Sequence, residues 1–103
     1  MEIDIHVGRN DKISIGSYSS VAPSVNLSVK GVSLDRFEDV YKKLSMITSI
    51  MYAIETKECL DTMEDIITFN KPVKIYKEML DGQEFDNMLK DAINDLKEDD
   101  VPF

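Results

Sequence analysis

Cysteine and histidine occur once each in the 103 residues, as Cys59 and His6, and tryptophan does not occur at all. One cysteine closes no disulfide within the chain, and one Cys with one His cannot complete a four-ligand zinc site. Cys59 stands among apolar residues at helical spacing, which predicts a buried structural thiol. The glycines are scattered at Gly8, Gly16, Gly31 and Gly82, so no glycine-rich loop is available to cradle a phosphate. His6 has no Ser or Cys nucleophile at a recognisable spacing, and Glu55, Glu58, Asp61, Glu64 and Asp65 track the polar side of a helix. The chain is therefore read as a non-enzyme without metal or cofactor. No apolar run approaches the roughly 18 to 20 residues that a membrane span requires. Glu2 and Asp4 alternate with Ile3 and Ile5, unlike a signal peptide. A cytoplasmic protein without a membrane partner is expected.

Basic residues are also in short supply, with 12 Lys and Arg against 20 Asp and Glu and a net charge of −8. The deficit is uneven. Residues 81–103 hold eight acids and two lysines, whereas residues 1–80 hold twelve acids and ten bases. Charge asymmetry of this kind marks an interaction tail, and a nearly neutral body can still own a local basic patch. With 43% apolar residues the body has enough to build a core.

The first third has the two-residue period of strands. Ile3, Ile5 and Val7 alternate with polar residues, as do Ile13 and Ile15, and then Val25, Leu27 and Val29. Gly8-Arg9-Asn10-Asp11 suits a tight turn between the first two runs, and residues 16–23 form a longer loop rich in small side chains. A three-stranded antiparallel β-meander is predicted.

From Ser33 the period changes to that of a helix. Leu34, Phe37, Val40, Tyr41, Leu44, Ile47, Ile50, Met51 and Ile54 form a stripe, with Ser33 as the N-cap and Asp35 in the first turn. Met46, Ile47, Ile50 and Met51 widen the stripe beyond what three short strands can cover, so other helices or a second subunit must cover the remainder, and a homodimer is expected. Helical spacing continues through Cys59, Leu60, Met63, Ile66, Ile67 and Phe69, until Asn70-Lys71-Pro72 interrupts it. Within residues 66–80, Val73-Lys74-Ile75-Tyr76 fits either a helix opened by Pro72 or a fourth strand. After Asp81-Gly82, residues Phe85, Met88, Leu89, Ala92, Ile93 and Leu96 draw an amphipathic helix ending near Lys97. The fold class is thus α+β: a meander, a long amphipathic helix and one or two more helices. One domain is expected over residues 1–97, with residues 98–103 as a disordered acidic tip.

That tip reads Glu98-Asp99-Asp100-Val101-Pro102-Phe103. Three consecutive carboxylates repel one another, Pro102 restricts Val101 to extended backbone, and Phe103 offers an aromatic ring beside a terminal carboxylate. A basic-rimmed apolar pocket would bury the ring, clamp the carboxylate and read the acids by charge. These six residues resemble the C-terminal tip of bacterial and phage single-stranded-DNA-binding proteins (SSB), with Glu98 where many of that family carry a third Asp. The resemblance implies recruitment of replication and repair proteins through Glu98 to Phe103. It does not extend to the rest of the chain, whose strand and helix order is unlike a five-stranded OB barrel.

An SSB-like tip on another fold implies a DNA-coating protein, with phage genomes a plausible source. The polar strand face and adjoining loops supply candidate contacts to single-stranded DNA in Arg9, Lys12, Tyr18, Asn26 and Lys30, with Tyr18 as a stacking platform. Glu2 and Asp4 share that face and oppose phosphate. The alternative expectation is an acidic inhibitor or decoy that displays the tip, or mimics DNA charge, without binding DNA.

Overall fold

The computed structural model describes residues 1–15 and 19–97. It is α+β, with four strands, β1 (Glu2–Asn10), β2 (Ile13–Ser14), β3 (Ser20–Val21) and β4 (Ser24–Ser33), followed by three helices. These are α1 (Phe37–Glu64), α2 (Lys71–Asp81) and α3 (Phe85–Lys97), with a 3-10 turn over Leu34–Arg36 leading into α1.

The strands pair as two two-stranded sheets and not as the expected meander: β1 is antiparallel to β4, and β2 is antiparallel to β3. Gly8, Arg9 and Asn10 continue β1 instead of turning it, and lie opposite Asn26, Val25 and Ser24. The physical reason is ladder length. β1 and β4 have nine and ten residues, and their register sets Ile5 opposite Val29 and Val7 opposite Leu27 on one face. β2 offers only two residues, enough to pair with Ser20–Val21 inside the region read as a loop.

A bulge aligns the far end of this ribbon. Ile3 faces Val32 while Ile5 faces Val29, so β4 carries one extra residue. Gly31 takes it up at φ 70°, and its N–H donates to the Asp4 carboxylate at 3.1 Å. The left-handed backbone brings Val29 and Val32 to the same buried face despite their odd spacing.

At 1.5 Å per residue, the 28 residues of α1 span roughly 42 Å. Two apolar clusters line this helix. The first joins Ile5, Val29 and Val32 of the ribbon to Val40, Leu44 and Ile47 of α1 and to Leu96 of α3. The second joins Ile15 and Leu60 to Phe69, Val73 and Leu80, and so seats the β2–β3 hairpin and α2 on the C-terminal half of α1. Phe85 packs against both. Leu44, Ile47, Leu60 and Leu96 are fully buried, which stabilises the fold by about 1.5 to 3 kcal/mol for each side chain. The two buried threonines of α1, Thr48 and Thr56, satisfy their hydroxyls by donating to the carbonyls four residues earlier, both at 2.8 Å.

Several local expectations are corrected. Ser33 makes no capping bond to the helix; its hydroxyl donates to Asp35, and α1 proper opens at Phe37. α1 stops at Glu64, short of the spacing that runs on to Phe69. Residues 71–81 are helical, which removes the strand alternative for Val73–Tyr76. Asn70 accepts the Val73 N–H through its side chain at 3.0 Å, and Pro72 occupies the first turn where a missing N–H costs nothing. Cys59 is half-buried instead of buried.

Candidate functional site

Strand alternation divides the ribbon into a face toward α1 and a face toward solvent. Glu2, Asp4, His6, Asn26, Ser28 and Lys30 are exposed, whereas Ile5 and Val29 are buried. Of the residues nominated for DNA contact, Asn26 and Lys30 stand on the solvent face and share it with Glu2 and Asp4. Asn26 lies opposite Gly8, where its side-chain amide fills the space a Cβ would need. Lys12 is exposed in the link from β1 to β2. Tyr18 lies outside the described residues, as do Glu98, Asp99, Asp100, Val101, Pro102 and Phe103.

Arg9 is placed differently. Being odd-numbered on β1 it points to the α1 side, where its guanidinium sits 4.4 Å from the centroid of the Tyr52 ring. The Arg9 Nε is 3.9 Å from Asp11, and the Tyr52 hydroxyl donates to the same carboxylate at 3.2 Å. Burial, together with the Asp11 carboxylate, raises the Tyr52 pKa above its ordinary value. These three residues form a closed set that pins the end of β1 to the middle of α1. The structure therefore separates Arg9 from Asn26 and Lys30 instead of gathering the three on one surface.

A second constellation ties α2 to α1. Lys77, whose side chain is only 12% exposed, lies 3.1 Å from Asp61, 3.0 Å from Glu64 and 2.9 Å from Asp81. Lys57 adds contacts to Asp61 at 3.0 Å and to Asp81 at 3.5 Å. Hydrogen bonds that Lys77 donates to Asp81, Glu64 and Asp61 hold its pKa above the ordinary lysine value, and Lys57 with Lys77 holds that of Asp61 below the ordinary carboxylate value. Such a cluster is a latch. Cys59 has its pKa raised by burial and by Glu55 and Glu58, which makes it a poor nucleophile.

The third feature is an open groove between α1 and α3, with a volume of about 630 Å³. The two helices run antiparallel, since Lys43 of α1 meets Asp95 of α3 at 3.6 Å while Ala53 and Phe85 line the other end. Ile50, Ala53, Phe85 and Ala92 form its floor. Met46 and Met88 form its lips, 59% and 41% exposed, and Asp91 and Asp95 stand along the α3 edge. The excess width that Met46 gives α1 is thus only partly covered by α3. Sequence reading did not single out Met88, Asp91 and Asp95 as a site; the signal was a second, outward apolar row on α3 flanked by acids one turn apart.

Among the described residues, no group of His, Cys, Asp and Glu could hold a metal ion, and no helix is long and apolar enough to cross a membrane. Set against protein-family models, curated proteins and solved structures, the chain matches none.

Proposed function

We propose that this chain is a recruiting protein that engages DNA-replication or repair partners through residues 98–103. The observation that carries this reading is the chemistry of Glu98-Asp99-Asp100-Val101-Pro102-Phe103, which matches SSB tips in its acids, its branched apolar residue and its closing Pro-Phe. The segment follows an anchored helix. Leu96 is fully buried one residue before the end of α3, so the six residues continue from a fixed point on the body.

Recruitment without DNA coating is the better fit to the body. Single-strand binding needs cations gathered along a backbone-tracking groove with stacking platforms between them. Here Arg9 is held by Tyr52 and Asp11, Lys30 shares its face with Glu2 and Asp4, and the chain carries −8 overall. An acidic decoy for tip-binding pockets meets these observations with no further assumption.

The test is displacement of a labelled SSB tip peptide from a bacterial repair helicase that binds such tips. The full chain is expected to compete. Phe103→Ala is expected to weaken competition at least tenfold, because the aromatic anchor is lost. Equal competition by the parent chain and the Phe103→Ala variant removes the tip reading. In parallel, anisotropy of a labelled single-stranded oligonucleotide separates the roles, since phosphate contacts produce salt-sensitive binding and a decoy produces none.

A further inference from the structure

We propose that the groove between α1 and α3 is a docking site for a basic amphipathic helix of a partner protein, independent of residues 98–103. Its floor of Ile50, Ala53, Phe85 and Ala92 is apolar, with Ser49 beside it, and the α3 residues that line the groove run from Phe85 to Asp95, about 15 Å of helix rise, so a docked helix would lie along nearly three turns. A helix laid into a groove of this kind places apolar side chains at i, i+3 or i+4, and i+7. Met46 and Met88 at the lips are unbranched and polarizable, and so can reshape around those anchors.

Charge selects the occupant. Asp91 and Asp95 lie one turn apart on the α3 edge, and Lys43 is 3.6 Å from Asp95. Lysine or arginine flanking the apolar anchors meets these carboxylates, an attraction that desolvation beside an apolar floor strengthens. A second copy of this chain is disfavoured, because a two-fold contact brings the same acidic edge of two chains of charge −8 into one interface. The chain's own end is disfavoured for the same reason, since Glu98, Asp99 and Asp100 would approach Asp91 and Asp95.

The probe is a fluorescent helical peptide with leucines at i, i+3, i+4 and i+7 and lysines elsewhere, beside a control in which every lysine is glutamate. Titrated with the full chain, the lysine peptide is expected to bind and the glutamate peptide is not. Asp91→Asn with Asp95→Asn is expected to weaken binding about tenfold, as is Met46→Ser with Met88→Ser, with circular dichroism unchanged. Asp65→Asn with Glu78→Gln removes the same charge away from the groove and leaves affinity unchanged. Equal losses from both charge pairs mean attraction to the acidic chain as a whole and overturn the proposal, as does binding of the glutamate peptide. A dimer in sedimentation that Met46→Ser with Met88→Ser dissolves assigns the groove to a second copy and also overturns it. A gain in peptide affinity on Phe103→Ala assigns the groove to the chain's own end and likewise overturns the proposal.

Discussion

Replacing Arg9 by alanine separates a structural arginine from a phosphate-binding one. The guanidinium lies 4.4 Å from the Tyr52 ring centroid and 3.9 Å from Asp11, and the Arg9 side chain is 52% exposed. A cation over an aromatic face at a partly exposed site contributes about 0.5 to 1 kcal/mol. An exposed ion pair adds about 0.2 to 1 kcal/mol, with the long Nε distance favouring the low end. The expected loss for Arg9→Ala is therefore about 1 kcal/mol, or roughly 4 to 8 °C in Tm for a domain of this size. Thermal unfolding by circular dichroism reads it directly. A double-mutant cycle with Tyr52→Leu isolates the pair, and coupling of about 0.5 to 1 kcal/mol is expected. The same variant is expected to leave oligonucleotide anisotropy unchanged. An unchanged Tm with a drop in oligonucleotide affinity would refute the assignment and return Arg9 to a DNA-binding surface.

Tyr52 is expected to ionise above the ordinary tyrosine value in an alkaline absorbance titration, because burial and Asp11 favour its neutral form. Its proton is held more tightly in the folded chain than in the unfolded one. The stability it contributes is thus complete below the ordinary value of 10.0 and is lost as pH rises through the folded value, and Tyr52→Phe removes that alkaline step. Lys77→Met is expected to cost up to about 1 kcal/mol and to speed hydrogen exchange in α2, since it empties the latch formed with Asp61, Glu64 and Asp81. For Asp61, whose pKa is depressed by Lys57 and Lys77, stability is present above the ordinary 3.8 and lost as pH falls through the folded value. Exchange in α2 should therefore accelerate in acid, and no change in the Lys77→Met protein relative to the parent would deny the latch.

The helical two-thirds were legible because their signals are local. The stripe from Phe37 to Ile54 repeats at three and four residues, and Gly82 follows α2 where the chain leaves its last turn. Val73 to Tyr76 was ambiguous, because Val73 and Ile75 alternate with Lys74 in the manner of a strand. Asn70 resolves it, since its side chain reaches the Val73 N–H and sets the first turn. The meander was misread for a non-local reason. Gly8-Arg9-Asn10-Asp11 has turn chemistry, but a turn there would forfeit the pairing of Arg9 with Val25 and of Asn10 with Ser24. The shift from alternation at Val25, Leu27 and Val29 to a three-residue step at Val32, with Gly31 between, marks the bulge in the sequence itself. The partnership of Arg9 with Tyr52 spans 43 residues and leaves no mark in local pattern.

Net charge connects the two proposed binding elements. In residues 98–103 an aromatic anchor follows three acids, and in the groove an apolar floor is edged by Asp91 and Asp95. Both elements ask the same of a partner, an apolar feature surrounded by cations. On this reading the −8 is a recognition property of the chain and not an obstacle to function, because clustered acids raise encounter rates with basic partners and disfavour self-association. A phosphate-binding role asks the reverse, since each cation offered to a nucleic acid must first outweigh neighbouring carboxylates such as Asp4 beside Gly31 and Asp11 beside Arg9. Partner capture should therefore weaken with added salt even when no nucleic acid is present. Salt-independent capture would place the affinity in the apolar anchors alone and leave the acids as solvated surface.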